Sequence, residues 1–96
     1  MFTSGTMRKG FPTRNAINVG TGAQLLLVAN GNRKSAVFQN QGTATVYLGG
    51  ADVAISGSHR GYALFAGASF TDDATNTEWY GISESGTNVV HISEVS

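Results

Sequence analysis

Ala36-Val37-Phe38-Gln39-Asn40-Gln41-Gly42-Thr43-Ala44-Thr45-Val46-Tyr47-Leu48-Gly49-Gly50 places two short runs rich in β-branched and aromatic residues on either side of a Gly-Thr break. Turn residues bound both runs, which with this composition is the signature of short strands. The same pattern continues through Tyr62-Ala63-Leu64-Phe65, Ser69-Phe70-Thr71, Glu78-Trp79-Tyr80-Gly81-Ile82-Ser83 and Asn88-Val89-Val90-His91-Ile92-Ser93. Upstream, Arg14 to Val19 reads as a further strand, closed by Gly20-Thr21-Gly22, and Ala23 to Ala29 as another. No ten-residue window sustains a 3.6-residue period, so little or no helix is expected. The expectation is an all-β domain, a single small β-sandwich or jelly-roll-like barrel of about 8 short antiparallel strands.

The turn residues suggest how the strands connect. Asn30-Gly31-Asn32 reads as a tight turn with positive φ, pairing 23–29 with 34–41 as a hairpin. Gln41-Gly42-Thr43 adds 44–49 to give a three-stranded meander, and Ala66-Gly67 joins 62–65 to 68–71 in another hairpin-like break. The longer stretch Asp52 to Gly61 is expected to carry the chain from one sheet to the other.

Ninety-six residues hold one modest core. Hydrophobic residues make up 41% of the chain and charged residues only 12%, about half the usual charged share of about 25%. The surface is therefore covered by Ser, Thr, Asn, Gln and Gly, and the formal net charge of zero removes the repulsion that keeps small proteins apart. An assembled protein is expected. Cysteine is absent, so neither disulfides nor thiolate metal sites hold the fold.

Charge is segregated along the chain. Residues 1–51 carry Arg8, Lys9, Arg14, Arg33 and Lys34 with no acid, whereas 52–96 carry six acids against Arg60. On separate faces these halves would give head-to-tail complementarity; interleaved by antiparallel pairing they would cancel. Separated basic clusters and a neutral total do not make the dense basic stripe that nucleic acid requires.

Residues 1–13 show no strand or helix period and read as a flexible N-terminal arm before a sandwich domain at 14–96. Phe2 and Phe11, with Met1, Met7 and the Arg8-Lys9 pair, could dock that arm on a neighbouring subunit or fold it back over the edge of its own domain. No apolar run long enough for a secretory signal follows the basic pair, which points to a cytosolic product. The longest apolar run, Leu25 to Ala29, is far too short to cross a bilayer. No membrane partner is expected.

No catalytic or metal-binding set stands out. His59 and His91 are the two histidines, neither lies in a nucleophile motif, and they lack zinc-ligand spacing. No enzyme activity, cofactor or metal is expected. Gly20-Thr21-Gly22 lacks the third glycine and following helix of a dinucleotide fingerprint. Asp72-Asp73-Ala74-Thr75-Asn76 lacks calcium-loop spacing and reads as a polar turn. With Trp79 and Tyr80 the same turn could frame a carbohydrate site. Candidate core or interface residues are Leu25, Leu27, Phe38, Val46, Leu48, Trp79, Ile82, Val90 and Ile92.

Val37 to Val53, continuing through Gly61 to Phe70, resembles small β-rich virion proteins of tailed bacteriophages. The shared pattern is an Asn-x-Gly-Thr turn followed by Val-Tyr-Leu-Gly-Gly, an Ala-Gly turn, an aromatic strand with Tyr-Gly-Ile-Ser and a final Val-rich strand, over residues 34–95. The resemblance implies a virion protein on the capsid exterior, a head decoration or cement protein that stabilises the shell. It would be made in the host cytoplasm, with the major capsid protein and itself, as a homotrimer, as partners. On that reading Phe2, Arg8, Lys9, Phe11 and Arg14 make the capsid or subunit contacts. The alternatives are a carbohydrate- or receptor-binding module of a fibre, and a tail or head-to-tail joining protein.

Overall fold

The computed structural model describes residues 12–96. Within them lie β1 (Pro12–Val19), β2 (Gln24–Leu27), β3 (Ser35–Asn40), β4 (Val46–Gly49), β5 (Tyr62–Leu64), β6 (Ser69–Asp72), β7 (Trp79–Ser83) and β8 (Asn88–Val95). A single 3-10 turn at Gly57–His59 interrupts the β4–β5 loop. The strands form two four-stranded antiparallel sheets, β1-β8-β3-β6 (sheet I) and β2-β7-β4-β5 (sheet II). These pack face to face as an open sandwich, not a closed barrel.

The order follows from one long hairpin rolled into two layers. β4 pairs with β5 at its tip, then β3 with β6, β2 with β7 and β1 with β8, so each strand of the first half meets one of the second. Additional pairing of β3 with β8 and β4 with β7 closes the roll. This is the winding of a jelly roll. It also interleaves the basic and acidic halves of the chain, as in the ion pair between Arg33 and Glu94 at 2.8 Å.

Three expected connections differ. β2, β3 and β4 are not a meander, because β2 and β4 lie in sheet II and β3 in sheet I. The break at Ala66-Gly67 is likewise an arch between sheets, whereas the long 50–61 loop returns β5 to the side of β4 in the same sheet. Gly31 has no positive φ; the left-handed glycines are Gly57, Gly67 and Gly86. A turn residue marks where the chain reverses, but a hairpin and an arch bend with the same residues. What separates them is which distant strand supplies the ladder partner. β1 also begins at Pro12, two residues before the expected domain boundary.

Phe38, Val46, Leu48, Val90 and Ile92 are buried between the sheets with Val19, Ala36, Leu64 and Trp79. In β2 the register slips between Leu25 and Leu27, which turns Leu26 into the core and leaves its neighbours half-buried. Gly81 makes room for Leu26, whose Cδ1 lies 2.9 Å from where a Cβ would stand. Ile82 and Tyr80 point to the outer face of sheet II, opposite Trp79, Gly81 and Ser83. Ile82 is therefore half-buried beside Tyr47 rather than between the sheets.

The arches bury polar backbone that no ladder satisfies, and two asparagines answer it. Asn40 donates to the carbonyls of Ala44 (2.7 Å) and Leu64 (2.9 Å) and accepts from Gly42 N–H (2.9 Å). Asn88 accepts from Thr43 and Ala44 N–H at 2.9 and 3.0 Å and donates to Ser83 Oγ and the Ser85 carbonyl. Both side chains are fully enclosed, where each unmet polar atom would cost about 1–3 kcal/mol. At Gly42 a Cβ would stand 2.0 Å from Asn88 Oδ1, so only glycine lets the arch reach the clamp.

Gly42→Ala is expected to cost at least about 2 kcal/mol through overpacking and loss of these bonds, read as a lower denaturation midpoint in urea. Gly22→Ala, which meets nothing within 4 Å, should stay within about 0.5 kcal/mol.

Candidate functional site

At the β5–β6 side of the sandwich an aromatic series runs from core to solvent. Phe38 packs against Trp79 with ring centroids 5.6 Å apart, Trp79 meets the edge of Phe70 at 5.6 Å, and Phe70 stacks on Tyr62 at 5.6 Å with planes 19° apart. Phe70 from sheet I and Tyr62 from sheet II thus bridge the open edge of the two layers. Tyr62 nevertheless stays 65% exposed. Phe70 stacks on one side of the ring, and Trp79 lies tilted beside it with centroids 6.4 Å apart.

Trp79 is fixed by its one polar atom. Its indole N–H donates to Asp72 Oδ2 at 3.0 Å, and Asp72 also accepts from Ala74 N–H (3.0 Å), Thr75 N–H (3.1 Å) and the Thr75 hydroxyl. Burial raises the Asp72 pKa, but the bonds from the Thr75 hydroxyl, Ala74 N–H, the Trp79 indole and Thr75 N–H outweigh it, leaving it below its ordinary 3.8. One carboxylate thereby locks the 73–78 turn onto the tryptophan. Arg33 holds the same turn from behind: its guanidinium, fully enclosed, donates to Glu94, to the Thr77 carbonyl at 2.8 Å and to the Val28 carbonyl. Asn30 joins through its N–H to the Asn76 carbonyl and its side chain to Glu94.

Between this turn and the β4–β5 loop runs a groove lined by Gly49, Gly50, Tyr62, Thr75, Glu78 and Trp79. A second cleft shares Gly49, Gly50 and Tyr62 and continues toward Asp52, His59 and Arg60. Its wall is the 50–61 loop, which folds onto itself through Val53 N–H to the Gly50 carbonyl (3.0 Å), Ala54 N–H to the His59 carbonyl (2.9 Å) and Gly61 N–H to the Ala54 carbonyl (3.1 Å). Gly61 sits where a Cβ would be 2.4 Å from the Leu48 carbonyl oxygen, so the loop packs directly on the β4 backbone. His59 and Asp52 form an exposed pair at 3.3 Å, and the Arg60 guanidinium turns away over the Tyr47 ring, 5.4 Å from its centroid.

The sequence-derived sugar site is rearranged accordingly. Trp79 and the 72–77 turn do meet, but Tyr80 lies on the opposite face of sheet II, across from Leu25. Tyr62, not Tyr80, lines the groove with Trp79. Nothing in the local pattern sets Tyr62 apart from a core strand residue; its exposure comes from its place at the mouth of an edge strand. His91 is on the outer face of sheet I, exposed, in a shallow depression with Arg14, Val37 and Gln39. Arg14 is an exposed residue of β1, while Phe2, Arg8, Lys9 and Phe11 lie outside the described residues. Among the described residues no cluster of three metal-ligating side chains occurs, and no helix is long and apolar enough to cross a membrane.

Comparison with protein-family models, curated proteins and solved structures gives no match for this chain.

Trp79→Ala should destabilise by about 3–5 kcal/mol, as expected for a buried aromatic, checked by thermal melting. Because the Asp72 pKa is depressed on folding, its contribution is present above pH 3.8 and lost as pH falls through the lower folded value. The melting temperature of the wild type should therefore drop between about pH 5 and 2 more steeply than that of Asp72→Asn.

Proposed function

We propose that this chain is a structural virion protein of a tailed bacteriophage, a decoration or cement protein seated on the outer surface of the head. In this reading it binds the major capsid protein, acts as a homotrimer and performs no catalysis. The sequence resemblance supports the reading, and its segments 37–53 and 61–70 are those that form β3 to β6 with their arches and loop. The residues it shares are joints of the roll: Asn40 and Gly42 in the clamp, Gly49-Gly50 at the groove floor and left-handed Gly67.

The single observation that carries the attachment mechanism is the edge of sheet I. β1 is eight residues long, exposed from Thr13 to Ala16, and has no strand on its outer side among the described residues. An unpaired edge of that length is a template for another chain's strand. It directly continues the segment that carries Phe2, Arg8, Lys9 and Phe11. One 10.0 kDa subunit offers little area, so linked copies bridging neighbouring capsomers would convert weak contacts into firm attachment. A ligand that binds only the expanded lattice then stabilises it by mass action.

Light scattering on the purified protein should give the mass of three chains, stable to dilution, and the protein should co-sediment with expanded heads. Removal of residues 1–11 should abolish sedimentation without lowering the melting temperature. Arg14→Glu should weaken it by about tenfold or more. A dilution-independent monomer that fails to sediment with heads overturns the proposal.

A further inference from the structure

We propose that the groove lined by Tyr62 and Trp79 is a binding site for a neutral sugar ring of an oligosaccharide. This goes beyond capsid attachment and does not rest on it. The first observation is the state of Tyr62. A large ring that is 65% exposed while stacked parallel on Phe70, itself wedged against Trp79, is held in the open by the core rather than left to swing. That arrangement leaves most of a ring already fixed by Phe70 and Trp79 presented to solvent, with little ordering cost for a ligand that stacks on it.

The second observation is the rim. The Glu78 carboxylate is exposed and has no ion-pair partner among the described residues, and the Thr75 and Thr77 side chains stand beside it. The opposite side is the Gly49-Gly50 backbone, which allows close approach because no side chain intervenes. Past Tyr62 the adjoining cleft adds Asp52 and His59, 3.3 Å apart, and Arg60. An apolar platform bounded by a carboxylate and hydroxyls, with no concentration of positive charge, complements a ligand with one C–H face and a ring of hydroxyl groups. A pyranose has that form. A phosphate or sulfate ester would meet the Glu78 carboxylate, while the Arg60 guanidinium of the adjoining cleft lies over the Tyr47 ring, and an apolar peptide side chain would leave the Glu78 carboxylate desolvated and unpaired.

Trp79 is the only tryptophan of the chain and lines the groove, so its emission reports occupancy directly. The intact protein is screened on an array of neutral gluco-, galacto- and manno-configured oligosaccharides, and hits are titrated by Trp79 fluorescence. A saturable spectral change with at least one of them is expected. Tyr62→Ala should weaken it by about tenfold, Glu78→Gln severalfold, and Tyr62→Phe, which keeps the stack, much less. Phe65→Ala removes an equally exposed aromatic, 64% open, in the β5–β6 arch and should bind as the wild type does. Melting curves of each variant separate lost binding from lost fold. An array without a hit, a hit that Tyr62→Ala and Glu78→Gln leave unchanged, or a groove that takes only apolar peptides overturns the proposal. None of those results would bear on whether the protein sediments with heads.

Discussion

Asn88 holds two arches at once. Its side-chain oxygen takes the N–H groups of Thr43 and Ala44, in the crossing from sheet I to sheet II, and its amide donates to Ser83 and Ser85, where the chain leaves sheet II for sheet I. Six of the seven connections between described strands cross the sandwich in this way. Where these crossings leave the ladders, peptide groups need other partners, and at the 41–45 arch buried side chains supply them. Asn40 does for the 41–45 and 65–68 arches what Asn88 does for 41–45 and 84–87, and no buried side-chain polar atom of the described residues is left without a partner. A rolled hairpin without cysteine is held at its turns by these amide clamps and in its middle by packing.

The opposite end uses charge for the same purpose. Arg33 is buried deeply enough that its guanidinium would be costly alone, but Glu94 and two carbonyls meet its donors. Asp72, also buried, is met by four donors. Together they fix the 73–78 turn, and that turn sets the wall of the aromatic groove. The groove's shape is therefore a consequence of core electrostatics, since the atoms that hold Trp79 and Thr77 lie behind the surface they shape.

The charge segregation along the chain has a structural answer. Because β1 pairs with β8, β2 with β7 and β3 with β6, the basic first half and acidic second half are laid side by side, and Arg33 with Glu94 is that pairing in its buried form.

The period-two alternation of residues 34–95 was enough to determine an all-β chain of short strands. Of the nine residues it offered as core or interface, Phe38, Val46, Leu48, Trp79, Val90 and Ile92 are buried between the sheets, whereas Leu25, Leu27 and Ile82 are half-buried. Leu26 escaped that reading because a register slip in β2 breaks the alternation. Whether each turn is a hairpin or an arch, and that Tyr62 rather than Tyr80 shares a groove with Trp79, only the tertiary structure decided. Those outcomes depend on partners far along the chain, such as Asn88 on Thr43 across 45 residues and Arg33 on Glu94 across 61. No local pattern carries the energy of a contact that exists only once the roll has closed.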